Sequence, residues 1–264
     1  MTRIAAQLNT VRAYCGAQEE LLETLSRIRD LGFDGVELES SLLKNADRKI
    51  VADHLEKLGL EVCSIRSPFA RTGYGLEDMI EEAKALGCSN AGVGTVTASY
   101  FTMGPAGMER YLEQAEKVCQ AFSKEGLRPL YSLRCHEFMR QNDGVWPFTK
   151  LADRPETAGY FWETDILQLT RTAVEPPWVF AKLAGRMPVC HLSDQKIREN
   201  QTYFFFANRE ECPLGEGLFD LQIWVRAAME AGVQWFTVGQ ELCDRDPFAC
   251  LAESLQKARE LCRS

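Results

Sequence analysis

Short apolar runs alternate along the chain with longer stretches in which apolar residues recur at helical spacing. The β-like runs are Arg3 to Leu8, Gly35 to Leu38, Glu61 to Ile65, Asn90 to Gly94, Arg128 to Leu133, Tyr160 to Thr164, Met187 to Leu192 and Trp235 to Val238. Leu21, Leu22, Leu25 and Ile28 mark the first helix, Ile50, Val51, Leu55 and Leu58 the second, and Leu76, Met79, Ile80 and Ala83 the third. Later helices are expected over 105–126, 146–151 and 177–183, around Leu221 to Ala228, and over 246–261. Several helices end on the same glycine stop, as in Leu31-Gly32-Phe33, Leu58-Gly59-Leu60 and Leu86-Gly87-Cys88. A polar stretch from Ser193 to Gly217 interrupts the rhythm, with Gly215-Glu216-Gly217 and Asp220 read as a turn and an N-cap for the next helix.

Strict alternation of strand and helix argues for a parallel sheet, and eight such units argue for closure. The chain has 264 residues, close to the roughly 250 of an eight-stranded barrel. The expectation is an α/β fold, a (β/α)8 TIM barrel, as a single domain over residues 1–264. An open doubly wound sheet is the alternative. No GxGxxG or GxxxxGK[ST] follows any strand, so no nucleotide cofactor is expected.

Composition narrows the partners. With 38 acidic and 30 basic residues the formal net charge is -8, the wrong sign for a protein that neutralises phosphates, so no nucleic-acid partner is expected. No run approaches the ~18 consecutive apolar residues of a membrane span, and no apolar leader precedes the first strand. No membrane partner and a cytoplasmic location are expected. The ten cysteines are scattered without a CxxC and read as small buried hydrophobes in a reducing compartment.

In such a barrel the chemistry sits at the C-terminal strand ends. That rule collects Gln7, Asn9, Glu37, Glu39, Arg66, Tyr131, Ser132, Arg134, His136, Glu137, Glu163, Asp165, His191, Ser193, Asp194, Gln240 and Glu241. A histidine nitrogen beside carboxylate oxygens suits a divalent ion, and Asp165 and His191 end consecutive strands. Arg66 and Arg134 suit a phosphate or carboxylate on a ligand. Phe69, Tyr74, Trp146, Trp162 and Phe204 to Phe206 are candidate walls of the mouth. The Tyr203 to Phe206 run is expected to fold over it or to lie under a partner chain, which leaves a homodimer open.

Longer motifs carry a resemblance. They are Gln7-Leu8-Asn9-Thr10-Val11-Arg12, Leu31 to Leu38, Glu163-Thr164-Asp165, His191-Leu192-Ser193-Asp194, Gly215-Glu216-Gly217 with Asp220, and Asp246-Pro247 with Leu251. In this order they resemble the sugar phosphate isomerase/epimerase family, the xylose isomerase-like barrels of the AP endonuclease 2 superfamily. The resemblance implies isomerase, epimerase or related lyase chemistry in carbohydrate metabolism, and one divalent metal (Mn, Zn, Co or Mg) held by strand-end carboxylates and a histidine. Asp165 and His191 match two of those ligands. Ser132 and Gly239 stand where the others are expected, Arg66 where the family has a histidine, and Ser193 where it has a lysine.

Two readings follow. In one, the protein isomerises or epimerises a sugar, sugar phosphate or polyol. Glu137, Glu163 and Glu241 would be the acid–base carboxylates, and Gln7, Glu37, Arg66, Ser132, Arg134, His136, Asp194 and Gln240 would bind substrate. The incomplete metal set leads to the expectation that Arg134 pairs with Asp165 or Glu163 in place of the ion. In the other reading the protein is a metal-free carbohydrate-binding relative that has lost the chemistry.

Overall fold

The computed structural model describes residues 2–67, 75–96, 103–140, 144–172, 174–199 and 207–263. Eight strands make one parallel sheet: β1 (Arg3–Gln7), β2 (Gly35–Glu39), β3 (Glu61–Arg66), β4 (Asn90–Gly94), β5 (Arg128–Leu133), β6 (Phe161–Thr164), β7 (Val189–Leu192) and, further along, Trp235–Val238. Between β7 and that last strand lies an antiparallel hairpin, β8 (Asp194–Glu199) and β9 (Ala207–Cys212), which makes the last barrel strand β10. The sheet order is β6-β5-β4-β3-β2-β1-β10-β7, and a parallel bridge between Asp165 and His191 joins the two ends. The expected barrel is therefore present.

The polar interruption at 193–217 is partly strand, which its sequence did not announce. Its two strands are mostly polar in sequence, so no apolar periodicity marks it. The Tyr203 to Phe206 expectation falls outside the described residues, as do Phe69 and Tyr74.

The outer layer consists of α1 (Gln18–Leu31), α2 (Arg48–Leu58), α3 (Leu76–Ala85), α4 (Gly104–Lys124), α5 (Pro147–Ala152), α6 (Ile166–Thr170), α7 (Pro176–Lys182), α8 (Leu221–Glu230) and α9 (Pro247–Leu261). The second helix shows how local sequence sets the boundaries. The Asp47 carboxylate accepts from the Lys49 and Ile50 amides at 2.8 and 3.2 Å, and Gly59 ends the helix in the left-handed region at φ 63°. Leu21, Leu25 and Ile28 of α1 and Val51 and Leu55 of α2 join the large core between helices and sheet. No described helix is long and apolar enough to cross a membrane.

Inside the barrel, residues two apart on a strand share a face. Ala5, Cys63, Leu130, Val189 and Trp235, with Phe161 against them, form an apolar plug. Gly35 belongs to this level because a Cβ there would lie 2.9 Å from the Trp235 ring. One step toward the C-terminal ends the interior turns polar: Gln7, Glu37, Ser132, Glu163, His191 and Thr237. All six are buried. A further step reaches Glu39, Arg66, Arg134, Asp165, Ser193 and Gly239.

Candidate active site

Glu37 stands at the centre of the polar level. Its partners come from neighbouring strands by register, with Gln7 opposite on β1 and Ser64 opposite on β3. The Ser64 position depends on a bulge: Val36 pairs with Val62 and Glu37 with Ser64, so Cys63 is the extra residue. The Ser64 hydroxyl donates to Glu37 Oε2 at 2.7 Å, and the Gln7 amide donates to Oε1 at 3.2 Å. From the other side of the barrel, His191 Nε2 lies 2.9 Å from Glu37 Oε2.

Glu163 is the second carboxylate. The Ser132 hydroxyl, opposite it in the β5–β6 register, donates to its Oε1. Its Oε2 lies 3.4 Å from His191 Nε2 but receives no well-directed hydrogen bond and is fully buried. His191 thus sits between two carboxylates. Burial pushes its imidazolium pKa down, but Glu37 and Glu163 outweigh that and hold it up at about 10. Burial likewise pushes the Glu163 carboxyl up, and His191, Arg66 and Ser132 pull it below the usual carboxylate range.

Arg66 completes the cluster from the end of β3, with 18% of its side chain exposed. Its Nη1 lies 3.9 Å from Glu37 Oε1 and 4.0 Å from Glu39 Oε1, and its Nε lies 4.0 Å from Glu163 Oε1. Burial opposes its charge, but Glu37, Glu163, Glu39 and Glu241 more than reverse that. The arginine that reaches the carboxylates is therefore Arg66. The half-buried Arg134 side chain makes no ion pair among the described residues and acts on Asp165 only as a nearby charge. Arg66 and Arg134 end β3 and β5 on the same level, and of the two, among the described residues, only Arg66 comes within 4.0 Å of a carboxylate oxygen.

The remaining candidates are distributed differently. Asp165 caps α6 by accepting from the Leu167 amide at 2.8 Å and takes the Ser193 hydroxyl at 3.1 Å. Burial raises its carboxyl above the usual value despite His191, those two bonds and Arg134. Glu137 is wholly buried in the turn after β5, where the Thr95 hydroxyl donates at 2.6 Å, the Arg134 amide at 2.8 Å and His136 Nε2 lies 3.0 Å away. The Asp194 carboxylate accepts from the amides of Gln195, Gly215 and Gly217 at 2.9, 2.9 and 3.1 Å, which fixes the turn expected there. Asp220 precedes α8, but its side chain makes no capping bond.

Gln240 ties the exit of β10 to the hairpin through bonds to the Glu211 and Leu242 carbonyls. Glu241 is exposed, and Arg12 donates to its carbonyl at 3.2 Å. Trp162 is fully buried in the core behind β6 and does not wall the mouth.

Two participants escape sequence reasoning. Ser64 sits in an apolar run, and the bulge that aims it has no sequence mark. Glu211 accepts from the Glu241 amide at 2.6 Å and is raised by burial, with Glu241 and Asp165 adding to the effect. It lies on the unanticipated hairpin. The ten cysteines are all free thiols.

Glu37, Glu163 and His191 each offer a ligand atom within 4.8 Å of the others. In kind these donors suit a divalent cation. The charge balance does not. Arg66 and the His191 imidazolium already offset Glu37 and Glu163, with Glu39 a third carboxylate 4.0 Å from Arg66, and two unit charges at 4 Å repel by about 4 kcal/mol at an effective dielectric of ~20. A divalent ion on the same oxygens would have to displace the His191 proton and sit beside the fixed charge of Arg66, so with Arg66 in place these residues do not fit the metal.

No family model and no curated protein matches the chain. Solved structures match its fold. A xylose isomerase-like TIM barrel protein from Mycobacterium smegmatis, in complex with magnesium, is 17% identical, with 99% of this chain and 97% of that one covered and a TM-score of 0.71. An L-ribulose 3-epimerase is 17% identical, with 100% and 95% covered and a TM-score of 0.73. An AP endonuclease, family 2, from Brucella melitensis is 16% identical, with 96% and 97% covered and a TM-score of 0.66. The fold is that of the xylose isomerase-like TIM barrels.

Proposed function

We propose that the protein is an isomerase or epimerase of a small polyhydroxylated metabolite, acting by carboxylate-mediated proton transfer at the polar level of the barrel. One observation carries this reading: Glu37 and Glu163 arrive from opposite sides of the barrel, on β2 and β6, and share His191 at 2.9 and 3.4 Å. Epimerases and a sugar phosphate isomerase/epimerase among the solved structures of this fold support it.

Moving a proton next to a carbonyl needs a base, a returning acid and stabilisation of the developing oxyanion. Glu163 is the base. It is ionised at neutral pH, and its Oε2 receives no well-directed donor. A carboxylate held so low is weak as a base while His191 and Arg66 stabilise it. When those two turn their N–H groups to a substrate oxygen, Glu163 loses its stabilisers and burial alone raises its proton affinity. Base strength thus rises as the oxyanion holders engage. Glu163 then carries the abstracted proton and can return it to the adjacent carbon, while the His191 imidazolium, anchored on Glu37 at 2.9 Å, exchanges a proton with the substrate oxygens. An anionic group such as a phosphate falls to Arg134, whose guanidinium has no carboxylate partner among the described residues.

The test is hydrogen exchange at carbon. Free and phosphorylated ketoses and aldoses are incubated with the protein in D2O and followed by proton NMR. Loss of the C–H signal beside the carbonyl, abolished by Glu163→Gln, is expected. Binding of a panel member with no exchange would instead assign the protein as a carbohydrate-binding relative, a reading favoured by the closed ion cluster around His191.

A further inference from the structure

We infer that Arg66 is the resident cation of this site, supplying to a substrate oxygen the positive charge that a divalent ion would supply and keeping such an ion out. The part concerning substrate rests on the proton-transfer reading. The exclusion of metal rests on the geometry of the cluster.

Three observations converge. First, the guanidinium is centred among Glu37, Glu39 and Glu163 at 3.9 to 4.0 Å. Among the described residues it donates no hydrogen bond within 3.5 Å to any of them. Contacts of that length are too long for direct hydrogen bonds, so the guanidinium donors are not committed to these carboxylates. Second, Glu163 Oε2 is buried and receives no well-directed hydrogen bond, with His191 Nε2 3.4 Å away, while Arg66 Nε approaches Oε1 of the same carboxylate at 4.0 Å. A hydroxy-carbonyl group offers what both lack: a hydroxyl to donate to the carboxylate and an oxygen to receive the guanidinium.

Third, the end of β10 is built against an added carboxylate. A Cβ at Gly239 would fall 2.2 Å from Gln7 Oε1 and 2.7 Å from Gln7 Cβ. Gln7 occupies that volume because it bonds to Glu37. Ser132 likewise places a hydroxyl, not a charge, opposite Glu163. The buried level therefore carries two carboxylates, Glu37 and Glu163, facing His191 and Arg66, with Glu39 a partly exposed third 4.0 Å from Arg66. Arg66 is the one of these cations that cannot lose its proton to admit a metal.

The probes are Mn2+ and Zn2+, titrated into wild-type protein, Arg66→Met, Arg66→Lys and Arg66→Met/Glu163→Gln by calorimetry, with elemental mass spectrometry of protein purified without chelator. Wild type is expected to bind neither ion stoichiometrically. Arg66→Met should gain at least about tenfold in affinity, equivalent to about 1.4 kcal/mol, and the double variant should lose the gain. Arg66→Lys keeps the charge and should remain metal-poor. It decides the matter with wild type if Arg66→Met does not fold. Stoichiometric metal in wild type, lost in His191→Ala, overturns the inference. Metal-free wild type that exchanges no carbohydrate C–H defeats the proposed function while leaving Arg66 as the cation. Metal-bound wild type that does exchange them upholds the proposed function and overturns the role given to Arg66.

Discussion

His191 donates across the barrel to Glu37, from β7 to β2, and not to Asp165, to which its own backbone is bridged. The two residues therefore carry different energetic roles. Removing the imidazole leaves two buried carboxylates with Arg66 alone, and breaking a buried pair costs about 3–5 kcal/mol. Removing the Asp165 side chain deletes an N-cap at Leu167, worth about 1 kcal/mol. In urea unfolding, His191→Ala should lose several times more stability than Asp165→Ala. Equal losses would mean that the two act as one unit.

The same cluster sets a pH dependence for the metal-free protein. His191 is held above its ordinary value near 6.5, at about 10. Its contribution is full below 6.5 and is lost as pH rises through 10. Glu163 is held below the ordinary carboxylate value of 4.5, so its contribution is full above 4.5 and is lost as pH falls through the depressed value. His191→Asn should flatten the alkaline limb of stability against pH, and Glu163→Gln the acid limb. Curves parallel to wild type in both variants would remove the ion cluster from the account.

How far the sequence reveals this site can be judged residue by residue. The barrel is legible because its apolar runs keep a regular rhythm, and the strand-end rule reaches Glu37, Arg66, Glu163 and His191 without any partner information. What it does not reveal is which arginine turns inward. Arg66 and Arg134 both end strands beside a carboxylate-bearing strand, β2 and β6 respectively, so strand order alone does not choose between them. Glu137 and Asp194 look like site carboxylates for the same reason, and the structure commits Glu137 to the Thr95 and Tyr131 hydroxyls and the Arg134 amide, and Asp194 to backbone amides of a turn. Glu211 belongs to a hairpin whose mostly polar strands, with Ile197, Ala207 and Cys212 the exceptions, show no apolar periodicity.

Gln7 and Gly239 should behave as a coupled pair. Gly239→Ala pushes a methyl into the Gln7 side chain, and overpacking of this kind costs about 1–3 kcal/mol. Gln7→Ala alone removes a donor from Glu37. The double variant should be more stable than the sum of the single losses predicts, because truncation removes the Gln7 amide from the methyl's path and leaves only the contact with Gln7 Cβ to relax. Strict additivity in thermal or urea unfolding would show that the contact relaxes elsewhere.

Ser132 offers a finer test of Glu163 as the base. Its hydroxyl is the donor on Oε1, and a hydrogen bond to a charged group contributes about 1.5–3 kcal/mol. Ser132→Ala withdraws that support, so the Glu163 carboxyl should move upward from its depressed value. The acid limb of the C–H exchange rate should then shift to higher pH, in step with the acid limb of stability. At neutral pH Glu163 remains ionised, so the rate there should change by less than about tenfold, the equivalent of 1.36 kcal/mol in the barrier. A stronger base gains reactivity as it loses its donor, and this partly offsets any loss of position. An acid limb that moves for stability but stays fixed for exchange would assign proton abstraction to another carboxylate, with Glu37 the next to test by Glu37→Gln.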